Sequence, residues 1–451
     1  MMTLRTASAA VLACMLAAPA TVSAQDVPAI LTLEDALRIA RQNGPAYRQA
    51  ANDVDVASAA VRQNWAAFLP DLRTSLGFSG NSSTRVTGED DYGRPVRLPD
   101  PVTFENSSAN QSISLGMTLF DGGRMFRNVS AAKAGERAVE AAVSARFAAL
   151  DAAVTTEFYR AVRTDLLAEV ERRNLAAARD RLERTEQSFR IAGVSQVDLL
   201  EARRSVISAE QSLAGSETEA RKARFSLRQA IGLEGDVAFD LAGDPPAVFD
   251  PTTLDADGLV ARAHASSPAM LQSDAAHAEM RSRAGAARGA RWPSISGSFS
   301  YSRNTSQSGY GSFGEINPLN HGYGFGLSVS LPLFTRFQTT AQIAQAEAAA
   351  DDAAEDLRRT RLEIERDVRS GLADLEQAYR RLRANEEIAS LSSQQVELAE
   401  EQFRAGSLGF VQFQQMIDAN SNAQRQVVEA RFTFLTARVT LEERLGARIG
   451  N

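Results

Sequence analysis

The chain has 451 residues, 44% of them hydrophobic and 7% aromatic, a composition that excludes wholesale disorder. Its formal net charge of -7 and the lack of a basic cluster exclude nucleic acid as a partner, because phosphate binding needs a basic face. Long stretches are dominated by Ala, Gln, Glu and Arg, the composition of extended helices.

Residues 1–24 read as a secretory signal peptide. Arg5 gives the positive start, Ala7 to Ala18 the apolar run, and Val22-Ser23-Ala24 a small-residue cleavage site before Gln25. A rival reading makes Val11-Leu12-Ala13-Cys14 a lipoprotein site that keeps Cys14, the sole cysteine. On the first reading the mature chain has no thiol for a disulfide or a metal. No later stretch reaches the ~18–20 consecutive apolar residues of a spanning helix, so a membrane span has to be a β-barrel.

A first unit, 25–240, opens with a helix from Thr32 to Phe68, broken near Asn43-Gly44-Pro45 and stopped at Pro70. A strand is expected at 71–80, a polar loop at 81–106 and a second strand at 111–120. Helices follow at 122–191, with only Gly135 inside, and at 196–232, joined at Ala192-Gly193. A Pro- and Asp-rich linker occupies 241–257. The second unit, 258–447, repeats the order: helix, strands at 294–302 and 323–334 around a polar loop at 303–321, then helices at 339–404 and 411–446. At 1.5 Å per residue, ~65 residues span roughly 100 Å, far beyond the usual ~11–12 residues, so the longest helices read as coiled-coil struts. Ile388, Leu391 and Leu398 fit a coiled-coil seam.

The halves are repeats of one design. FRIAGVSQVDLL, starting at Phe189, matches FRAGSLGFVQFQ, starting at Phe403, at a shift of 214 residues. The same shift pairs Phe120 with Phe334, Val154 with Val368, Glu186 with Glu400 and Gly232 with Gly446. Upstream the shift is 223, pairing Pro45 with Pro268 and Pro70 with Pro293. Composition alone explains single matches but not a constant shift.

The four strands carry the functional argument. Leu72, Leu76 and Phe78 alternate with Arg73, Ser75 and Gly77, and Ile113, Leu115, Met117 and Leu119 with Ser112, Ser114, Gly116 and Thr118. In the second half Ile295, Phe299 and Tyr301 alternate with serines, and Phe325, Leu327, Val329 and Leu331 with Gly324, Gly326, Ser328 and Ser330. Each strand thus has one apolar and one small polar face, at the ~9–11 residues that cross a bilayer as a tilted strand. The expectation is that the apolar residues meet lipid, with Trp65, Phe68, Phe120, Trp292 and Phe334 as an interfacial girdle. Four strands cannot close a barrel, because open edges in hydrocarbon leave backbone groups unsatisfied, so copies have to share strands. Eight, twelve or sixteen strands are all even-numbered solutions, and periodicity does not choose among them.

The duplication, the helix-Pro-strand joints FLPDL and RWPSI, the LFDGGR motif at Leu119 to Arg124 and the two helix turns resemble the TolC family of outer-membrane efflux and secretion ducts. The resemblance covers Leu31 to Gly446. It implies a mainly α protein with membrane β: a homotrimer with a shared twelve-strand barrel continuous with a periplasmic helical tunnel. It also implies a periplasmic adaptor and an inner-membrane pump, proton-driven or ABC type, as partners, and an iris-like opening of the tip helices. In that family the helix turns form the periplasmic entrance and adaptor contact. Carried over, one tip comprises Phe189, Arg190, Ala192, Gly193, Ser195 and Asp198, with Glu201 as a further lumen charge or solvated side chain. The other comprises Phe403, Arg404, Gly406, Gly409, Gln412 and Gln415. The family often has acidic residues at the last two positions; the glutamines here leave a negative ring in doubt. The second half also has Thr335-Arg336-Phe337 where the first has Asp121-Gly122-Gly123, so its strand-to-helix bend is expected to differ.

No catalytic constellation, cofactor motif or metal spacing appears; His264, His277 and His321 are the only histidines. A passive duct needs none, since its selectivity lies in pore width and lining. The expected function is therefore an efflux or type I secretion exit and not an enzyme. The rival reading is a trimeric structural or adhesive coiled-coil surface protein anchored by a small barrel.

Overall fold

The computed structural model describes residues 28–191, 194–235, 239–242, 246–308 and 320–449. The expected signal peptide and Cys14 lie outside them, as do Ala192, Gly193 and residues 309–319 of the second polar loop. In chain order the elements are β1 (Ile30–Leu31), α1 (Leu33–Asn43), α2 (Pro45–Ala66), β2 (Asp71–Glu89), β3 (Pro95–Asp121), α3 (Arg124–Arg190) and α4 (Gln196–Ala230). The second half continues with β4 (Asp240–Leu241), α5 (Ala256–Ser266), α6 (Pro268–Gly289), β5 (Ser294–Ser308), β6 (Asn320–Ser330), α7 (Gln338–Arg404) and α8 (Phe410–Leu445). The longest helices, α3 and α7, are 67 residues each. No described helix is long and apolar enough to cross a membrane.

Two compact units divide these elements. One comprises Met1–Gly44, Ala153–Ala247 and Ala389–Phe432. In it β1 pairs in parallel with β4, Ile30 with Asp240 and Leu31 with Leu241, and Leu31 is fully buried. Thr32 caps α1 by accepting from the Asp35 amide at 3.1 Å, which satisfies one of the amides the first turn leaves unpaired. Gly232, at φ 70°, lies so close to Asn43 and Gly44 that a Cβ would sit 3.0 Å from the Asn43 carbonyl oxygen. Glycine is required there both for the backbone and for the approach.

The other unit comprises Pro45–Ala152, Val248–Ile388 and Thr433–Asn451. Its core packs Phe434, Leu435, Leu441 and Leu445 of α8 with Val368, Leu375 and Leu382 of α7, all essentially fully buried. The 368-375-382 spacing is a heptad, and a Cβ on Gly371 would lie 3.1 Å from Leu441, so close helix approach sets this crossing. The expected seam residues Ile388, Leu391 and Leu398 are instead about half exposed on this chain. Their spacing identified an apolar stripe but not the one the protomer buries.

The same unit holds an antiparallel sheet of order β2-β3-β5-β6. Its first hairpin is much longer than expected: β2 and β3 continue to Glu89 and Pro95, so most of 81–106 is strand rather than loop. The physical reason is a tight hairpin end. The Asp90 carboxylate accepts from the Tyr92 and Arg94 amides, and Gly93, at φ 74°, donates to the Asp90 carbonyl. Cross-strand pairs such as Thr84 with Thr103 (3.1 Å) then support the extension. In the second hairpin β5 likewise continues to Ser308, whereas β6 ends at Ser330, leaving Leu331 to Phe334 outside it.

Candidate functional site

The hydrogen-bonded register turns the alternation into two surfaces. Leu72, Leu115, Phe299 and Phe325 form one row across all four strands, and Thr74, Ile113, Tyr301 and Tyr323 the next on that face. Ser75, Ser112, Ser302 and Gly322 form a row on the opposite face, as do Arg73, Ser114, Ser300 and Gly324. Serine pairs hydrogen-bond across this second face: Ser75 with Ser112 at 2.8 Å, Ser79 with Ser108 at 2.7 Å and Ser296 with Ser328 at 2.8 Å. Arg73 is on the serine face and donates to Asp71 at 2.6 Å.

Leu76, Phe78, Leu327 and Val329 share the apolar face and, with Leu72 and Phe325, are 65–88% exposed. Met117, Ile295 and Tyr301 are half-buried. Leu119 sits at a bulge between Thr118 and Phe120, and Leu331 follows the end of β6. Among the described residues no element covers these exposed apolar side chains. Near the helix ends Trp65 contacts Phe68 and Phe68 contacts Phe126, while Trp292 and Phe334 are exposed.

The strand-to-helix connections differ in that β3 runs directly into its bend whereas β6 ends at Ser330, yet the two residues before each long helix share one left-handed conformation. Gly122 and Gly123 take φ 74° and 80°, and Arg336 and Phe337, at the equivalent positions, take φ 50° and 62°. Asp121 accepts from the Met125 amide and Thr335 from the Thr339 amide, so both helix starts are capped alike. The left-handed region costs a non-glycine residue about 1–2 kcal/mol, and the second half carries that strain twice. The shared geometry outweighs the missing glycines.

The helix tips lie in the other unit. Ser195 and Asp198 form a capping box at the start of α4: Asp198 accepts from the Ser195 amide at 3.0 Å, and Ser195 accepts from the Asp198 amide at 3.2 Å. Asp198 is thus engaged by its own helix end, and Glu201 accepts from Arg204 at 2.8 Å. Phe189 is 40% exposed, Arg190 is exposed, and Ile191 is 81% exposed.

The second turn is packed more tightly. Phe403 stacks on Phe413 at 5.0 Å and meets Phe410 edge-on at 6.0 Å, closing a cluster with Ala399 and Ile417. Gly406, at φ 72°, ends α7, its amide donating to the Phe403 carbonyl at 3.0 Å, and the Gly409 carbonyl accepts from the Phe413 amide. Gln412 and Gln415 are exposed, on the side of α8 away from Phe413 and Ile417.

Glu400 joins the tips by accepting from Arg404 and, at 3.2 Å, from Arg184. The Arg404 hydrogen bond, helped by the charges of both arginines, holds the Glu400 carboxyl below its ordinary 4.5 against the effect of burial. A cleft of about 1350 Å³ opens among these helix ends, lined by Arg181, Arg184, Asp198, Glu400 and Phe403 among others. Burial pushes the Arg181 pKa down, with Asp418, Asp180 and Glu400 opposing. Deeper in this unit the nearly buried Glu171 accepts from Arg425 at 2.8 Å and from Asn174, which in turn accepts from Ser421. Nothing in the spacing of the sequence pointed to this pair.

Comparison with known proteins places this arrangement. The family model described as outer membrane efflux protein matches residues 36–233 and 259–447, one segment in each half. Outer membrane protein TolC of Vibrio cholerae is 22% identical over 415 residues, covering 90% of this chain and 89% of that protein. A membrane protein from Pseudomonas aeruginosa superposes with a TM-score of 0.73 at 20% identity, covering 92% of this chain and 90% of the other. The outer membrane protein VceC of Vibrio cholerae superposes with a TM-score of 0.71 at 16% identity, over 93% and 97% of the two chains. Matched through both of its repeats, the chain belongs to the outer membrane efflux protein family, an outer-membrane channel with a large periplasmic portion.

Proposed function

We propose that three copies of this chain form a passive duct, the outer-membrane exit of a tripartite efflux or type I secretion system. Substrates reach it from an inner-membrane pump, proton-driven or ABC type, through a periplasmic adaptor. The observation that carries this reading is the two-sided sheet with two open edges, β2 and β6. In hydrocarbon an unpaired backbone group costs several kcal/mol, so both edges need partners, and three copies supply twelve strands for closure. The Leu72–Phe325 row then meets lipid, while the serine rows line water. The extended β2–β3 hairpin continues past bilayer length as a polar projection.

At the periplasmic entrance the exposed Ile191, Val197, Leu200 and Val411 offer apolar contact area for the adaptor. Opening of the tips separates Glu400 from one of its two arginines, so this bridge supports the closed arrangement. The test is reconstitution in planar bilayers together with gene deletion. Discrete conductance steps, and a deletion strain sensitised to toxic compounds or deficient in a secreted protein, are expected. Purified detergent-free, water-soluble monomer without conductance would sink the proposal.

A further inference from the structure

The cleft among the helix ends holds polar groups that passive conduction leaves unused. Arg181 and Thr185 of α3, Phe403 of α7, and Asn420 and Ser421 of α8 all line its volume of about 1350 Å³. Pockets for small organic molecules measure roughly 300–1,000 Å³, so this one has room for such a molecule and some water.

The charged side chains of the lining are almost all engaged. Asp180 pairs with Arg184 at 2.7 Å, Glu400 takes both Arg184 and Arg404, and Asp198 accepts from the Ser195 amide. Arg173 pairs with Glu169 at 3.4 Å. Arg181 is the exception. It is half-buried and forms no ion pair among the described residues. Asp418, Asp180 and Glu400 act on it only through space, and Asp418 accepts instead from Gln414 at 2.9 Å. Burial has stripped water from this guanidinium without supplying a carboxylate, which pushes its pKa down.

A second orphan lies in the same lining. Asn420 Oδ1 is buried and has no hydrogen-bond partner among the described residues. Nearby in the sequence, Ser421 donates to Asn174 at 3.2 Å, and Asn174 donates to Glu171. A buried oxygen without a donor carries a desolvation cost that a ligand or a bridging water relieves. The rest of the wall is apolar and includes Val396, Leu408 and Ile417 beside Phe403 and Phe413. Phe403 is half-buried and stacked on Phe413 at 5.0 Å, so aromatic surface is already held in place there.

We infer that this cleft binds an organic monoanion with an aromatic body, its carboxylate or sulfonate on Arg181 and its ring against Phe403 and Phe413. The planar guanidinium matches such a head group through two parallel N–H donors. One unpaired cation sets one negative charge, and the nearby Asp180 and Glu400 carboxylates oppose a second. Asn420 Oδ1 takes a donor from the ligand or from a water beside it. A passive duct needs no such site, so the inference stands apart from the channel reading.

Calorimetric titration of the full-length protein in lipid nanodiscs with naphthalenesulfonate tests it, with empty nanodiscs as the blank. From the size of this probe a Kd of roughly 1 mM or tighter is expected. Arg181→Gln should weaken binding about tenfold, and Arg181→Lys by less. Arg179→Gln removes an exposed arginine of α3 that pairs with Glu210, and should bind as the native protein does. Methanesulfonate, which has the head group but no ring, should bind at least about tenfold more weakly than naphthalenesulfonate. Circular dichroism checks the fold of each variant, and the comparison of the two sulfonates needs no variant. Equal binding to the native protein and a folded Arg181→Gln overturns the inference, as does equal binding of the two sulfonates or no heat above the blank. None of these results alters the conductance expected of the channel, so the two readings fail separately.

Discussion

At the residue scale, the groups that matter most are those whose partners lie far away in sequence. Glu171 is 4% exposed and its charge is matched by Arg425, 254 positions later. Removing one member of such a pair strands the other, so Glu171→Ala is expected to destabilise the protein by about 1.5–3 kcal/mol. Thermal loss of helical circular dichroism in detergent would show this as an earlier transition, with Glu171→Gln intermediate. Glu400 gives a pH dependence whose sign is fixed by its depressed pKa. Its contribution is present above the ordinary glutamate value of 4.5 and is lost as pH falls through the lower folded-state value. The gap in melting temperature between the native protein and Glu400→Gln should therefore be open at neutral pH and close under acid conditions. A gap that persists unchanged into acid would place the stabilisation elsewhere. Gln412 and Gln415 are exposed and uncharged, so Gln412→Asp with Gln415→Asp should raise cation over anion conductance in planar bilayers. Unchanged ion preference would remove both positions from the pore.

At the scale of elements, the two strand-to-helix bends show geometry prevailing over residue preference. Gly122 and Gly123 adopt a positive φ without steric cost, whereas Arg336 and Phe337 adopt it under strain. Arg336 is exposed, and no structural contact explains its side chain. Arg336→Gly is accordingly expected to stabilise the detergent-solubilised protein by roughly 1 kcal/mol, offset in part by the flexibility glycine adds to the unfolded chain. A lower melting temperature for this variant would mean that the arginine makes a contact in the assembly that outweighs the strain. Phe337 is different, because its ring meets Phe334 edge-on at 6.1 Å and the pair would be lost on substitution.

For the whole molecule, duplication is the organising fact. The family model matches one segment in each half, and the two hairpins share a single register once their shifts are applied. In the four-stranded sheet the end strands β2 and β6 have no partner strand among the described residues. If three copies form the channel, Val56→Asp, at an exposed apolar position of α2, should lower the proportion of oligomer measured by light scattering while leaving helical circular dichroism unchanged. An intact oligomer would show that α2 faces solvent.

The sequence by itself determined the order of helices and strands, the internal repeat and the sidedness of the sheet. These follow from periods of about two and 3.6 residues and from the punctuation of Pro and Gly, all of which act locally. It misjudged the reach of β2 and β3, because Ser, Thr and Asn read as loop until a partner strand and the Asp90 turn supply their hydrogen bonds. It marked Ile388, Leu391 and Leu398 as a seam, but the heptad the single chain buries is Val368, Leu375 and Leu382, since periodicity marks apolar stripes without saying what covers them. At the candidate site, the spacing gave the positions of both turns but not the roles of their side chains. Only tertiary structure engaged Asp198 in a capping box, placed Glu400 between Arg184 and Arg404, and paired Glu171 with Arg425. Those contacts depend on which helices become neighbours, and neighbourhood is decided by packing of the whole chain.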